Sequence, residues 1–288
     1  MIGIDKTFAT AHQKFLEYLK KQGNTPATIV AYGKDVDQFG EYLRKKQITQ
    51  VTSVLPEHIE NFKDYLAKND YTDKSICRKL NSIKAFFRFL TLNGSIEKSP
   101  ATSIIYPRYE IKPPRILSQM EYRALRDCAR DDPRAAAIVE ILLQTGMRIG
   151  ELVRLELEDI KITEIRIRSY SSHPERTVPL NSAVKTAVNR WLNYRPKTKN
   201  PSLLVTKTGK TLQTRNIRSA LVRLFKLAGI KNATVNSLRH TFIAHQLAAG
   251  ASVALIQKIV GHKRLSTTEK YLELVKENIT PTPKLEEL

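Results

Sequence analysis

The chain has 288 residues, enough for two compact domains, and its 41% hydrophobic and 26% charged side chains are those of an ordinary folded protein, not a disordered or membrane-spanning one. Lys and Arg number 48 against 28 Asp and Glu, a net charge of +20; a surplus that large repels itself unless it faces a polyanion, so nucleic acid is the first partner expected. Cys77 and Cys128 are the only cysteines, and no run approaches the ~20 apolar residues of a spanning helix, so a cytoplasmic protein without disulfide framework, metal, cofactor or membrane partner is expected.

The first third reads as four short amphipathic helices. Phe8, His12, Phe15, Leu16 and Leu19 recur at helical spacing until Gly23-Asn24 ends the segment. Thr25-Pro26 supplies a cap and a first-turn proline for a second helix, with Ile29, Tyr32, Val36, Phe39, Tyr42 and Leu43 on one face. Pro56 opens a third, carrying Ile59, Phe62, Tyr65 and Leu66. A fourth starts at Asp73 or Ser75, turns Phe86, Phe87 and Phe89 into the core, and breaks at Asn93-Gly94. Short connections make these a bundle over residues 1–108. Proline-punctuated basic sequence follows, and residues 109–115, ending in Lys112-Pro113-Pro114-Arg115, are read as the linker.

The second domain is set at 116–288. Ser118 is a cap for a helix beginning QMEYRALRDCA. Between Ile160 and Leu180, Ile162, Ile165 and Ile167 alternate, polar turn residues intervene, and Val178 and Leu180 follow, a strand–turn–strand pattern. Helical periodicity returns over 182–192, 214–228, 236–249, 253–260 and 267–275. The expected fold class is therefore mainly α with a small β-sheet in the second domain. The closing KLEEL reads as a tail or a partner-docking segment.

Three stretches in this domain set a basic or nucleophilic side chain beside a glycine or a helix start. They are LLQTGMRIGELVRLELEDI with Arg148, NSLRHTFIAHQLAAGA with Arg239, and IQKIVGHKRLSTTEKYLEL with His262 and Tyr271. In these ordered boxes the chain resembles the tyrosine recombinases, which include phage integrases, Xer resolvases and transposon-encoded enzymes. NTPATIVAYGKDVDQF and DKSICRKLNSIKAFFRFLTLNGSIEKSPA likewise resemble that family's helical core-binding domain. The resemblance implies a two-domain clamp on double-stranded DNA, and the net charges of +6 on residues 1–108 and +14 on the remainder suit it. It implies a site-specific recombinase working through a 3′-phosphotyrosyl intermediate, as a homo-tetramer on two DNA sites with an exchanged C-terminal helix. With no arm-binding domain ahead of residue 1, the simple Xer or resolvase type is expected.

The residue types suit that chemistry. A phosphodiester attacked by a phenol gathers negative charge on its non-bridging oxygens, and two arginines, Arg148 and Arg239, hold it by charge-assisted hydrogen bonds. A histidine, His262, donates to the same phosphate or helps deprotonate the phenol. Tyr271 needs a cationic surround, because a free phenol titrates near about 10.

Two family positions are altered. The histidine expected three residues before Arg239 is Asn236, which reads either as a phosphate contact or as the cap of a helix from Ser237. The lysine expected at the hairpin tip falls on Ser171, and no lysine lies between Lys161 and Lys185. His173 or Arg168, nearest in sequence, or Lys207 or Lys210 from the following segment, are the alternatives for the proton donor. Lys79, Lys84 and Arg88 on one helix, and Arg215 and Arg218 on another, are candidate DNA-backbone contacts against the plain reading of solvated helix faces. His240 and His245 are read as structural. The alternative to a recombinase is a DNA-binding regulator that keeps the fold with weak or no cleavage.

Overall fold

The computed structural model describes residues 7–110, 112–170 and 173–278. It divides into two compact units, residues 1–111 and 112–288.

In the first unit, threonine hydroxyls, Thr7 among them, start three of the helices by accepting N–H groups that have no intrahelical partner. Thr25 caps α2 (Pro26–Lys45) through the Thr28 N–H at 3.2 Å, and Thr72 caps α4 (Asp73–Leu92) through the Ser75 N–H at 3.4 Å. With α1 (Phe8–Lys21) and α3 (Pro56–Lys68) these helices close over Phe15, Phe39, Phe62, Phe86 and Phe87, all fully buried. The rings meet edge-on or tilted, Phe39 and Phe62 with centroids 5.0 Å apart, the arrangement aromatic quadrupoles favour. Truncating any of them to alanine removes roughly 3–5 kcal/mol.

One expected DNA contact is corrected here. Lys79 is 7% exposed, and its ammonium donates to Asp35 Oδ1 at 3.1 Å and Gln38 Oε1 at 2.6 Å. Asp35, 1% exposed, also accepts from Arg78 and from Ser82 Oγ at 2.8 Å. A buried carboxylate must be paired to remain charged, so Lys79 is committed to Asp35 and does not join Lys84 and Arg88 on the exposed face of α4.

The second unit is built around α6 (Pro133–Thr145), which is buried on all sides: Ala137, Ile138, Val139, Ile141 and Leu142 are at most 2% exposed. Around it pack α5 (Gln119–Ala129), α8 (Ser182–Tyr194), α9 (Thr214–Leu227) and α10 (Val235–Ala248). Ser118 caps α5, its hydroxyl accepting the Glu121 N–H at 3.2 Å while Glu121 Oε2 accepts the Ser118 N–H at 2.8 Å. The short α7 (Ile149–Arg154) leads to two antiparallel strands, β1 (Glu164–Ile167) and β2 (Arg176–Pro179), in the register Ile165 opposite Val178. Ile165, Ile167 and Val178 face the core, whereas Ile162, expected among them, precedes the strand and is 87% exposed. The Ser171 position lies outside the described residues. Two further helices, α11 (Val253–Val260) and α12 (Ser266–Asn278), pack with α10 over a small separate cluster that includes Phe242, Ile256, Val260 and Tyr271. Among the described residues, no helix is long and apolar enough to cross a membrane.

Candidate active site

The site is organised by the end of α11. Its last carbonyls lack intrahelical partners and carry the negative end of the helix dipole. Three consecutive ones are taken by three arginines. Arg176 Nε donates to Ile259 O at 2.8 Å; Arg239 Nη2 and Arg148 Nη1 share Val260 O at 2.8 and 3.3 Å; Arg148 Nη2 reaches Gly261 O at 3.4 Å. Gly261 closes the helix at φ +67°, and a Cβ there would stand 3.1 Å from the Arg176 guanidinium. The left-handed φ favours glycine, and any side chain there would also have to displace the Arg176 guanidinium by a few tenths of an ångström.

A second left-handed glycine aims Arg239. Gly146 ends α6 at φ +60°, so close to α10 that a Cβ would lie 2.4 Å from the Phe242 ring. Its carbonyl accepts from Arg239 Nη1 at 2.6 Å. Arg239 is 7% exposed. Burial and the neighbouring Arg148 charge push its pKa down to about 9, which still leaves it protonated at neutral pH.

Glu151 balances part of this charge. It is 5% exposed and accepts from Arg176 Nη1 and Nη2 at 2.9 and 2.8 Å, from Arg148 N–H at 2.8 Å and from Arg148 Nη1 at 3.3 Å. Three arginines against one carboxylate leave a surplus of positive charge, the condition for binding a phosphate.

Tyr271 comes from the second turn of α12 and is 7% exposed. Its hydroxyl lies 2.6 Å from His240 Nδ1. The His262 ring stacks near it, centroids 6.5 Å apart at 22°, and His262 Nδ1 is fixed by Thr268 Oγ1 at 2.9 Å. Burial raises the Tyr271 pKa, with Arg239 opposing. Burial and the Arg239 and Arg148 charges push His262 down to about 4. His240 is lowered by burial and by Arg239. Free of substrate, the site therefore holds a neutral phenol and neutral imidazoles among fixed guanidinium groups.

Arg148, Arg239, His262 and Tyr271, expected from three separate boxes, come together in one place. His173 lies beside them: burial lowers its pKa first and the Arg148 charge next, with Lys263 and Arg176 adding to this. Its Nδ1 is buried with no partner among the described residues. Asn236 does not join. It is exposed at the second position of α10, and the helix is capped by Thr234, whose N–H donates to Ser237 Oγ at 3.0 Å, so the capping alternative is corrected too. Arg168 is held by Asp159 at 2.9 Å and by Glu156 and Glu158 at 2.7 Å, which removes it as a proton donor. Arg215 and Arg218 are exposed in the first turns of α9, without an ion pair among the described residues. Lys84 is exposed with its ammonium 5.8 Å from the Tyr106 ring centroid, and Arg88 is exposed one turn further along α4.

Four residues escaped the sequence reading. Glu151 and Arg176 stand inside TGMRIGEL and ERTVPL, but a buried ion pair bridging two motifs leaves no periodic signal. His240 adjoins Arg239, and only the fold shows that it reaches Tyr271. Lys263 follows His262 and lines a cleft of 760 Å³ whose other wall is the hairpin segment Pro174–Thr177.

Residues 115–278 match the sequence profile of the phage integrase family, and residues 13–94 that of the phage integrase N-terminal SAM-like domain. The tyrosine recombinase XerC of Natranaerobius thermophilus is 31% identical over 282 residues, covering 92% of this chain and 94% of that protein. Among solved structures, the XerA recombinase is 28% identical with a TM-score of 0.53, covering 95% of this chain and 99% of that one. The lambda integrase tetramer bound to a Holliday junction superposes with a TM-score of 0.76 at 17% identity, covering 91% of this chain and 80% of that one.

Proposed function

The chain belongs to the phage integrase family and is a site-specific tyrosine recombinase, and from that premise we propose that it cleaves and rejoins DNA through a 3′-phosphotyrosyl link on Tyr271. The observation that carries this reading is the convergence of Tyr271 with two arginines that share one carbonyl, Val260 O. The scissile phosphate docks against Arg148 and Arg239, whose remaining N–H groups meet its non-bridging oxygens. These donors are already fixed by backbone carbonyls, so they cost little reorganisation as charge builds in the transition state. His262 acts from a ring oriented by Thr268. A bound phosphate raises its pKa from the free value, so the same ring becomes a donor once DNA is present.

The Tyr271 oxygen attacks phosphorus and the 5′ oxygen leaves. Lys263 supplies its proton. The hairpin offers no lysine, Lys263 reaches the same cleft from the opposite wall, and His173, its pKa depressed by burial and by Arg148, is neutral at neutral pH. The released 5′-hydroxyl attacks the phosphotyrosine of a partner strand, and rejoining needs no external energy source because the link conserves the bond.

On this reading the two units grip one duplex, with Lys84, Arg88, Arg215 and Arg218 on its backbone. Four chains assemble on two sites in the cytoplasm, exchanging their C-terminal segments. A nicked suicide substrate tests the chemistry. Wild-type protein should accumulate a covalent protein–DNA adduct that Tyr271→Phe abolishes. DNA binding without any adduct would instead identify a binding regulator, the reading favoured by the missing hairpin lysine.

A further inference from the structure

We propose that His240 is the base that takes the phenol proton as Tyr271 attacks. This rests on Tyr271 being the nucleophile. Nδ1 of His240 stands 2.6 Å from the Tyr271 hydroxyl, a direct hydrogen bond to the reacting atom. With Nδ1 as acceptor, the phenol donates, and the His240 proton sits on Nε2. Among the described residues, no other imidazole hydrogen-bonds the Tyr271 hydroxyl. His262 makes no hydrogen bond to that oxygen, its Nδ1 is engaged with Thr268, and its ring lies near-parallel to the phenol with centroids 6.5 Å apart. Asn236, which holds the place of the family's usual histidine, lies one helical turn before His240 and has no acceptor nitrogen. Proton acceptance thus falls to the next turn of the same helix.

The surroundings make the base conditional. Three groups face His240: Arg239 on its own helix, Tyr271 from α12, and His262 from the segment after α11. Burial and the Arg239 charge keep the imidazole neutral, and burial, against the pull of Arg239, keeps the phenol protonated in the free protein. An imidazolium formed there would stand beside Arg239, an unfavourable like-charge neighbour. A phosphate anion seated on Arg148 and Arg239 removes that penalty. The proton therefore moves from Tyr271 Oη to His240 Nδ1 only when DNA occupies the site. As it moves, the Oη–P bond forms and the P–O5′ bond breaks, and the 5′ oxygen leaves with its electron pair and takes a proton from Lys263. In rejoining, the same imidazolium returns the proton to the departing phenolate. A free phenolate, which would react indiscriminately, is never needed.

The test is single-turnover cleavage of the suicide substrate by His240→Ala, with DNA affinity and thermal unfolding measured alongside. A general base is worth about 10²–10⁴ in rate, so cleavage should fall at least about a hundredfold while DNA binding stays within threefold. Two further measurements separate a base from a packing residue. Adding imidazole should restore part of the rate, and replacing Tyr271 with the more acidic 2,3,5-trifluorotyrosine should shrink the His240→Ala defect. The proposal is overturned by a His240→Ala protein that cleaves within threefold of wild type, or by a defect that neither imidazole nor the acidic phenol relieves. Absence of adduct in the wild type would overturn the nucleophile assignment instead, a distinct result.

Discussion

Replacing Glu151 with glutamine removes one charge and leaves the side-chain outline intact. Wild-type Glu151 accepts four hydrogen bonds, two from Arg176 and two from Arg148, and is 5% exposed. In the variant only one amide oxygen can accept, so Arg176, with its side chain 7% exposed, would keep at most the Ile259 carbonyl and a share of that neutral oxygen. An exposed ion pair is worth about 0–1 kcal/mol, whereas removing one partner of a buried pair costs about 3–5 kcal/mol because the other charge stays buried. The larger figure applies here. With urea slopes of about 1–3 kcal/mol/M, the unfolding midpoint should drop by at least about 1 M. Trp191, the single tryptophan and 4% exposed in the second unit, reports this transition by fluorescence.

The effect of Glu151→Gln should also depend on pH. Burial pushes the Glu151 carboxyl up, but the Arg176 hydrogen bonds, the Arg148 N–H and both cations pull it further down, below its ordinary value. A depressed folded pKa contributes stability that is present above the unfolded value, near about 4.3, and is lost as pH falls through the folded one. The wild-type and variant midpoints should therefore stay apart above about pH 5 and converge below it. A variant within about 1 kcal/mol of wild type at pH 7 would refute the idea that Glu151 anchors the arginines.

Lys263→Ala should slow cleavage of ordinary DNA about 10²-fold or more and regain most of the rate on a substrate with sulfur at the bridging 5′ position, a leaving group that needs no proton; equal defects on both substrates would remove Lys263 from the chemistry. His262, held near about 4 by burial and the arginines, favours the folded state above its unfolded pKa of about 6.5 and loses that contribution as pH falls toward 4, so His262→Gln should flatten the urea midpoint across this window, and an unchanged slope would count against the depressed value. Arg215→Ala and Arg218→Ala should each reduce the salt dependence of DNA binding by about one ion without moving the melting curve, whereas Asp35→Asn should destabilise the first unit by several kcal/mol by stranding Lys79, a contrast read by melting and by salt titration.

The helices of the first unit were legible because each has one wet face. Thr25-Pro26 and the Phe86, Phe87 and Phe89 spacing announce cap and core directly. α6 was not delineated, and the reason is physical: a helix buried all round, from Ala137 to Leu142, has no apolar stripe for periodicity to detect. The segment 195–213 escaped for a related cause. Leu203, Leu204 and Val205 are at most 1% exposed, yet they form no regular strand: isolated bridges, Glu156 with Ser202 and Val205 with Thr211, and scattered hydrogen bonds such as Trp191 Nε1 to Leu203 O hold them. In the site, Arg148, Arg239, His262 and Tyr271 were readable because their motifs are local. Lys79 was misread because nothing in its helix reveals Asp35, 44 residues earlier. The hydrogen bond from Tyr271 to His240 spans 31 residues and depends on how α12 lies against α10, which no local pattern encodes.

The three successive carbonyls at the end of α11 have a mechanical consequence. Arg148, Arg176 and Arg239 arrive from different parts of the chain, yet all three are referenced to Ile259, Val260 and Gly261, and His262 follows immediately. Their positions are thus not three independent coordinates. Rotating or fraying that one helical end would slacken every cation at once and carry His262 with them, so the centre assembles and disassembles as a single latch. Amide exchange at residues 259–262 should then fall in concert on DNA binding, and staggered protection at those positions would argue for separately adjusting parts.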